Sequence, residues 1–404
     1  MIQEKLTHLV GIILLASIFS ITHSFNVSAG EWSGYLGTEF RYFTQDARDP
    51  RQHDRNLSLV FEPEYYHEWD KGSQSLAFVP FFRLDQHDNE RTHFDIRELT
   101  WLKVAENWEL RVGLRKVFWG VTEFQHLVDI INQTDLVENI DTEDKLGQPM
   151  INLALINDWG TVDLFVLPYF RERTFPGTDG RLRTHPVVDE DLSKFESSAK
   201  EKHIDLAIRY SHYFGDWDIG VSHFYGTSRD PRLLPTMNRS GALVLAPFYD
   251  IIHQTSIDLQ ATKGNMLWKL EALHRSGQDE TYNAMAGGFE YTFVGIFDSA
   301  IDLGVLGEYH YDDRGESAPT IFEDDIGSGM RFAFNDAQSS EVLMGLIWDR
   351  NTGGKFLNIE ASRRISDHWL LEMDAKFLFD QSPSDPAFAF SRDDYLELFL
   401  TYNF

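Results

Sequence analysis

Apolar and polar residues alternate with a period of two along most of the chain. In residues 205–210 the even positions are Leu, Ile and Tyr, and the odd positions are Asp, Ala and Arg. The same alternation occurs in residues 302–305 and 372–377. A period of two predicts β-strands with one apolar and one polar face.

The connections between the predicted strands alternate in length. Tight turns rich in Gly, Asp and Asn follow every second strand, as at 70–72, 158–160 and 263–265, whereas the other connections are mostly longer and acidic. This asymmetry, with both termini at the short-turn end, is typical of a transmembrane antiparallel up-and-down β-barrel with short periplasmic turns and long extracellular loops. We predict about 18 strands, with 16 as the alternative if the weak segments 150–157 and 327–334 are not strands. The predicted strands are 31–44, 55–69, 74–86, 92–105, 107–118, 150–157, 160–172, 202–214, 216–227, 252–263, 265–276, 283–294, 299–312, 327–334, 339–350, 355–366, 368–380 and 391–404.

The composition fits a barrel in which only half of each strand contacts lipid. Aromatic residues make up 14% of the chain, the net charge is −28, and the mean hydropathy is −0.33. A large soluble β-protein is the alternative, but the sequence lacks the fixed-period repeat of a propeller or solenoid. The strong acidity excludes nucleic acid as a partner. Aromatic residues also mark many predicted strand ends, as expected of an interfacial girdle: Trp108, Trp159, Trp217, Trp369, Tyr225 and Tyr311.

The first 29 residues resemble a cleavable export signal. Lys5 precedes an apolar run from Leu9 to Ile21, and Val27-Ser28-Ala29 forms a small-residue cleavage site. We therefore expect residues 1–29 to be a signal peptide and residues 30–404 to form one transmembrane barrel domain in the outer membrane. A membrane anchor is the alternative, although the apolar run is shorter than the roughly 20 residues of a spanning helix. The chain has no cysteine.

If the apolar face meets lipid, the opposite face lines a wide lumen in which acids outnumber bases. An excess of carboxylates favours cations in a pore. The predicted lumen acids are Glu39, Glu62, Glu64, Asp85, Asp95, Glu109, Asp163, Asp205, Asp218, Asp258, Glu271, Glu290, Asp302, Glu308, Glu341, Asp349, Glu360, Glu372, Asp374 and Glu397. The predicted lumen bases are Arg41, Arg83, Arg97, Arg111, Arg115, Arg209, Lys269, Arg275, Arg331, Arg364 and Lys376.

The longest predicted connection, residues 119–149, is unusually long for a loop without a function. Phe124, Leu127, Val128 and Ile131 fall on one stripe at helical spacing, which predicts a short amphipathic helix. The sequence leaves open whether the loop folds inward and narrows the channel or packs outward as a lid. For the inward case, the candidate residues for a pore constriction or solute contact are Glu123, Asp129, Asp135, Arg111, Arg115, Glu109 and Trp119.

Three segments resemble those of proteobacterial porin-like barrels, including an uncharacterised family. These are residues 113–120, residues 129–132 and the terminal Tyr402-Asn403-Phe404. The alternating C-terminal strand ending in Tyr402 and Phe404 resembles the assembly signal of outer-membrane barrels. This resemblance implies the barrel-assembly machinery, outer-membrane lipid and lipopolysaccharide as partners in a Gram-negative bacterium, and it implies no particular solute.

Catalysis is not predicted, and neither a cofactor nor a metal is expected. The sequence contains no Gly-x-Ser-x-Gly elbow and no His-Glu-x-x-His helix. His310 near Asp312, His93 near Asp95, and His126 near Asp129 are the formal candidates for a rim catalytic pair. The leading hypothesis is a porin-like, cation-preferring channel for small hydrophilic solutes. A transporter of hydrophobic or lipid-like substrates is the first alternative, and a surface receptor or adhesin is the second.

Overall fold

The computed structural model describes residues 30–404, so the predicted signal segment 1–29 lies outside the described residues. Within them, none of the helices is long and apolar enough to cross a membrane. The strands are β1 (Glu31–Phe43), β2 (Arg55–Trp69), β3 (Gln74–Asp85), β4 (His93–Val104), β5 (Trp108–Arg115), β6 (Gln148–Asn157), β7 (Gly160–Leu167), β8 (Lys194–Phe195), β9 (Asp205–Phe214), β10 (Trp217–Thr227), β11 (Arg232–Met237), β12 (Leu243–Tyr249), β13 (Ile251–Lys263), β14 (Met266–Ser276), β15 (Tyr282–Phe293), β16 (Asp302–Asp312), β17 (Asp324–Ala333), β18 (Glu341–Asp349), β19 (Lys355–Arg364), β20 (Trp369–Phe379) and β21 (Tyr395–Asn403). Short 3-10 helices span Asp70–Gly72, Glu190–Leu192, Lys200–Lys202, Ile296–Asp298, Gly315–Ser317 and Pro386–Phe390.

Eighteen of these strands form one closed antiparallel barrel. Each pairs with its neighbour along the chain, and β1 also pairs with β21 from Tyr35↔Asn403 to Phe43↔Tyr395. Closure leaves no strand edge unpaired in lipid, as a membrane barrel requires. The predicted fold is confirmed with 18 strands, since both weak segments form barrel strands, β6 and β17.

A second, three-stranded sheet was not predicted from the sequence. It contains β8, β11 and β12, which lie in the long connections on either side of β9 and β10. Residues 228–251 were predicted to be a loop. Pro235 lies inside β11 and cannot donate to a ladder, which explains why this edge strand gave a weak signal.

Burial follows the predicted alternation of faces. On β9, Leu206 and Ile208 are each 46% exposed, whereas Asp205 is 1% and Ala207 is 7% exposed. The strand registers carry this outward face around the whole barrel, for example from Leu206 to Val166 on β7 and to Tyr225 on β10. The predicted lumen acids and bases all lie on the opposite, inward face.

The two faces of β9 should respond differently to the same charge. Leu206→Arg places a guanidinium toward lipid and should cost about 2–4 kcal/mol if the position is near the bilayer midplane. Ala207→Arg turns the same group toward the lumen, where water and acids are available, and should cost less. Refolding yield into detergent, followed by heat-modified electrophoretic mobility, compares the two variants. Equal damage would contradict the face assignment.

Aromatic residues mark both ends of the outward face. On β10, Trp217 lies at the short-turn end and Tyr225 lies near the long-loop end, and both are exposed. Trp159 lies in the short turn between β6 and β7, and Trp369 begins β20 at the same end of the barrel. The first described residue, Gly30, and the last residue, Phe404, also lie at this end, which is the periplasmic end in an outer-membrane barrel.

Candidate functional site

Residues 116–147, which connect β5 to β6, cross the barrel interior. Residues of this segment form hydrogen bonds with inward side chains of seven strands: β1, β3, β4, β14, β16, β17 and β20. The segment contains no helix, so the predicted amphipathic helix is wrong. The backbone N–H groups near its start bond to wall carboxylates instead of to carbonyls four residues earlier, and that removes the bonds that a helix needs.

The first lobe of this segment, residues 120–128, is held by two wall carboxylates. Glu271 on β14 is fully buried and accepts bonds from the amides of Val121, Thr122 and Val128 at 2.5–2.9 Å. Glu308 on β16 accepts from the Glu123 amide at 2.7 Å. The sequence identified both carboxylates as lumen residues but gave no signal that they anchor a loop, because their partners are backbone amides.

Phe124 packs the first lobe against two glycine positions on neighbouring strands of the barrel wall. Its ring lies over Gly327 on β17 and Gly345 on β18. A Cβ added to either glycine would lie 2.4 Å or 2.6 Å from the nearest ring carbon. Those distances are too short for any other residue, so the two glycines form the cavity that receives the ring.

The second lobe, residues 135–144, is held by arginines on the opposite side of the barrel. Arg97 bonds Asp135 at 2.5 Å, and Arg83 bonds both carboxylate oxygens of Glu138 at 2.6 and 3.1 Å. Arg97 is the extra residue of a β-bulge in β4, between the registered pairs Val79↔Glu98 and Pro80↔Ile96. A bulge of this kind redirects a side chain, here toward the lobe.

The anchors of the second lobe belong to a buried ionic network. Glu39 bonds Arg83 at 2.6 Å and Arg91 at 2.7 Å, and all three side chains are at most 7% exposed. Burial alone would raise the pKa of the Glu138 carboxyl, but Arg83, Arg91 and Arg97 outweigh it and hold the pKa below its usual range. Glu138 therefore stays ionised and ties the lobe to the wall.

Between the lobes, residues 128–133 pack against the wall as a small apolar core. Val128, Ile130 and Ile131 are at most 1% exposed and cluster with Trp119 and Phe165. Trp119 is only 8% exposed, so the prediction that it contacts solute is corrected. Its ring fills the core instead.

The other predicted constriction residues separate into paired and buried groups. Glu123 bonds Lys269 at 3.1 Å and Arg331 at 2.6 Å and is about one-fifth exposed. Asp129 accepts from the amides of Trp119 and Gly120. Asp135 is fully buried, which corrects the expectation of solute contact for this residue, because Arg97 occupies its carboxylate.

The remaining candidates lie on β5, below the crossing segment. Arg111 forms an ion pair with Glu109, and both side chains are about one-fifth exposed. Arg115 donates to the Asn152 side chain on β6 at 3.0 Å. These three residues face the lumen as predicted, and whether they contact a solute stays a prediction.

A cavity of about 520 Å³ lies on the extracellular side of the crossing segment. Both lobes form its floor, and the inner faces of β16 to β20 form one wall. Its lining combines acids, bases and aromatic groups, among them Glu123, Asp129, Asp141, Lys145, Arg173, Arg229, Arg275, Arg314, Tyr282, Phe322, Asp349 and Phe390.

His126 and Glu143 connect the two lobes at the edge of this cavity, with His126 Nε2 3.3 Å from Glu143. Burial favours the neutral imidazole, but the bond to Glu143 and nearby carboxylates outweigh it and raise the pKa of His126 to about 9. A raised histidine pKa stabilises the folded state fully below about pH 6.5, the ordinary value, and this contribution is lost as the pH rises through about 9. The contact is therefore charged at neutral pH.

Each histidine of the three formal rim pairs lies 3.3–3.6 Å from an acid other than the one noted in the sequence. His126 pairs with Glu143, while His93 and His310 lie nearest Glu138 and Glu308. Within residues 30–404, His93, Asp135 and Glu138 are the one group close enough to share a metal ion. Arg83 and Arg97 already neutralise those two carboxylates, so a further cation is unfavourable there.

Below the crossing segment, several lumen carboxylates have no ion pair among the described residues. They come from strands on different sides of the barrel: β2, β10, β18 and β20. By contrast, Arg111, Arg209, Lys269, Arg331 and Lys376 are paired with acids. The unpaired carboxylates are Glu62, Glu64, Asp218, Glu341 and Glu372. These five carboxylates are spread around the periplasmic half of the lumen, and we call them the acidic ring.

The closed barrel, its outward apolar belt and its inward crossing loop define an outer-membrane β-barrel of porin-like architecture. No family model matches the chain, and no curated protein sequence matches it. Among solved structures, the chain is similar to the Escherichia coli protein Wzi, with a TM-score of 0.53 and 9% identity over 91% of this chain and 84% of that one. Wzi is described as an outer-membrane protein involved in group 1 capsule assembly and as a carbohydrate-binding β-barrel.

A mutant Rhodopseudomonas blastica porin also matches. Its TM-score is 0.47, with 11% identity over 93% of this chain and all of that one. Of the two, only the similarity to Wzi is close enough to support the shared barrel fold. Both identities are too low to transfer a function to this chain.

Proposed function

We propose that this barrel is a diffusion channel for small hydrophilic solutes and that it prefers cations. The acidic ring carries this proposal, because its carboxylates have no ion pair within residues 30–404 whereas most lumen bases are paired. Rings of Asp and Glu raise the local concentration of cations in a pore. The crossing segment supports the restriction to small solutes, because it divides the lumen and leaves a cavity of about 520 Å³ on its extracellular side.

Neutralising part of the acidic ring should reduce cation preference. We expect the double variant Glu341→Gln/Glu372→Gln to shift the reversal potential in a salt gradient toward zero, because two exposed or half-exposed charges leave the pore wall. The Debye length is about 10 Å at 0.1 M salt, so the shift should shrink at high salt. Planar-bilayer recordings of the purified barrel measure the effect.

A matched control separates the ring from the overall negative charge. Glu316 is exposed in the extracellular connection between β16 and β17, and Glu316→Gln should leave selectivity unchanged. Anion selectivity of the wild-type protein would contradict the proposal. So would full cation preference in the ring variant.

A carbohydrate-binding function is a second candidate, favoured by the lining of the cavity. Phe322 and Phe390 supply apolar surfaces beside Arg and Asp side chains. Ligand sites usually combine such apolar surfaces with a small number of polar groups. The Wzi description makes the same class of ligand worth testing. Slow, saturable block of current by an oligosaccharide would favour binding in this cavity, and unhindered current would favour simple diffusion.

A further inference from the structure

The outward face of the barrel carries a polar patch where lipid-facing residues are expected. The strand registers place His223 on β10 beside Thr255 on β13, Thr255 beside His274 on β14, and His274 beside Asn283 on β15. His253 on β13 lies next to His223, with ring centroids 5.8 Å apart. All five side chains are exposed. We call these five residues the histidine patch.

The patch lies at the extracellular boundary of the apolar belt. The His253 ring contacts the end aromatic Tyr225, with centroids 4.7 Å apart. Toward the periplasm the same strands continue with apolar outward residues, for example Val221 and Leu259. This boundary is the level of lipid headgroups.

Other outward histidines at the periplasmic end do not form such a group. His67 stacks against Trp69, and His212 packs against Phe214. Each therefore behaves as one more member of an aromatic girdle. The histidine patch instead joins four neighbouring strands and includes hydroxyl and amide groups, so girdle packing does not account for it.

Hydrogen bonds within the patch occupy Nδ1 of two histidine rings. The Nε2 atom of each of these rings is left for an external partner. The Asn283 amide donates to Asp313 at 2.8 Å, which turns its carbonyl oxygen toward His274 Nδ1 at 2.9 Å. His274 must therefore donate from Nδ1, and its Nε2 is left for an outside partner, to which it can donate only as an imidazolium. His223 Nδ1 lies 2.9 Å from the Thr255 hydroxyl, leaving its Nε2 outward.

We propose that the histidine patch binds the phosphate group of a lipid in the outer leaflet. Imidazole N–H groups at the headgroup level match an anionic, multi-acceptor ligand, and an anion stabilises the protonated ring. Polar groups that face lipid without a partner are costly, and a phosphate supplies that partner. Two exposed bases, Lys200 and Lys202, flank Glu201 close by along the chain, since the neighbouring His203 ring contacts Tyr225, with centroids 5.8 Å apart.

The test uses the full-length barrel in detergent and lipid A carrying both phosphates as the probe. Native mass spectrometry compares the wild type with His223→Leu/His274→Leu. We expect the double variant to lose about tenfold or more in affinity, the size of one charge-assisted hydrogen bond. Leucine is compatible with lipid, so folding should persist, and heat-modified mobility checks it.

The control double variant His67→Leu/His212→Leu removes two outward histidines from the other end of the belt and should keep the wild-type affinity. Removing the phosphates from lipid A should weaken its binding to the wild type at least as much as the patch variant weakens the binding of phosphorylated lipid A. Equal affinity for the two lipids would overturn the proposal, as would an equal loss in the control. If the patch variant changed the oligomeric mass and kept its lipid, the patch would be an interface between copies instead.

Discussion

Replacing Glu138 with Ala should detach the second lobe and strongly destabilise the barrel interior. The change leaves Arg83 without its bidentate partner and removes a carboxylate that also neutralises Arg91 and Arg97. Breaking a buried ion pair by removing one partner costs about 3–5 kcal/mol. We expect a lower heat-unfolding temperature and, because the freed lobe no longer fills the lumen, a larger single-channel conductance.

Two comparison variants make this result interpretable. Glu316 is exposed in the connection between β16 and β17 and has no ion pair among residues 30–404, so Glu316→Gln should change stability by about 0.5 kcal/mol or less. Glu138→Gln keeps the size of the side chain and should lose most of the same stability, because the charge is what Arg83 requires. A Glu138→Ala barrel with wild-type unfolding temperature and conductance would show that this network does not hold the loop.

Changing the contact between Phe124 and its two glycines should alter conductance in opposite directions. Phe124→Ala removes a ring from the lumen and should raise conductance, at a stability cost of about 2 kcal/mol, roughly half the cost of deleting a fully buried Phe. Gly345→Val fills the cavity that receives the ring, pushes the lobe toward the lumen axis and should lower conductance. Single-channel recordings measure both changes.

Gly307 provides the control for the glycine substitution. It lies on the outward face of β16, where an added Cβ would make an ordinary 3.5 Å contact with Phe289. Gly307→Ala should therefore leave conductance unchanged. Changes of the same sign in the Phe124 and Gly345 variants would contradict the lock between the ring and the glycines.

The sequence alone determined the barrel and the direction of each face, and it limited the strand number to 18 or 16. These features depend on local alternation, because successive side chains of a strand point to opposite sides whatever the strand pairs with. The 18 predicted segments each correspond to one barrel strand. The short and long connections likewise gave the orientation of the barrel without any knowledge of packing.

Only the tertiary structure decided the path of the crossing segment and which charges remain available in the lumen. Glu123 bonds Arg331 across 208 residues of sequence, and Arg41 bonds Glu397 across 356. No local pattern encodes such pairs, since they depend on how closure of the barrel brings distant strands together. For the same reason Asp135, Glu123 and Glu62 look alike in the sequence. The fold buries Asp135 against Arg97, half-buries Glu123 between two bases and leaves Glu62 without an ion pair among the described residues.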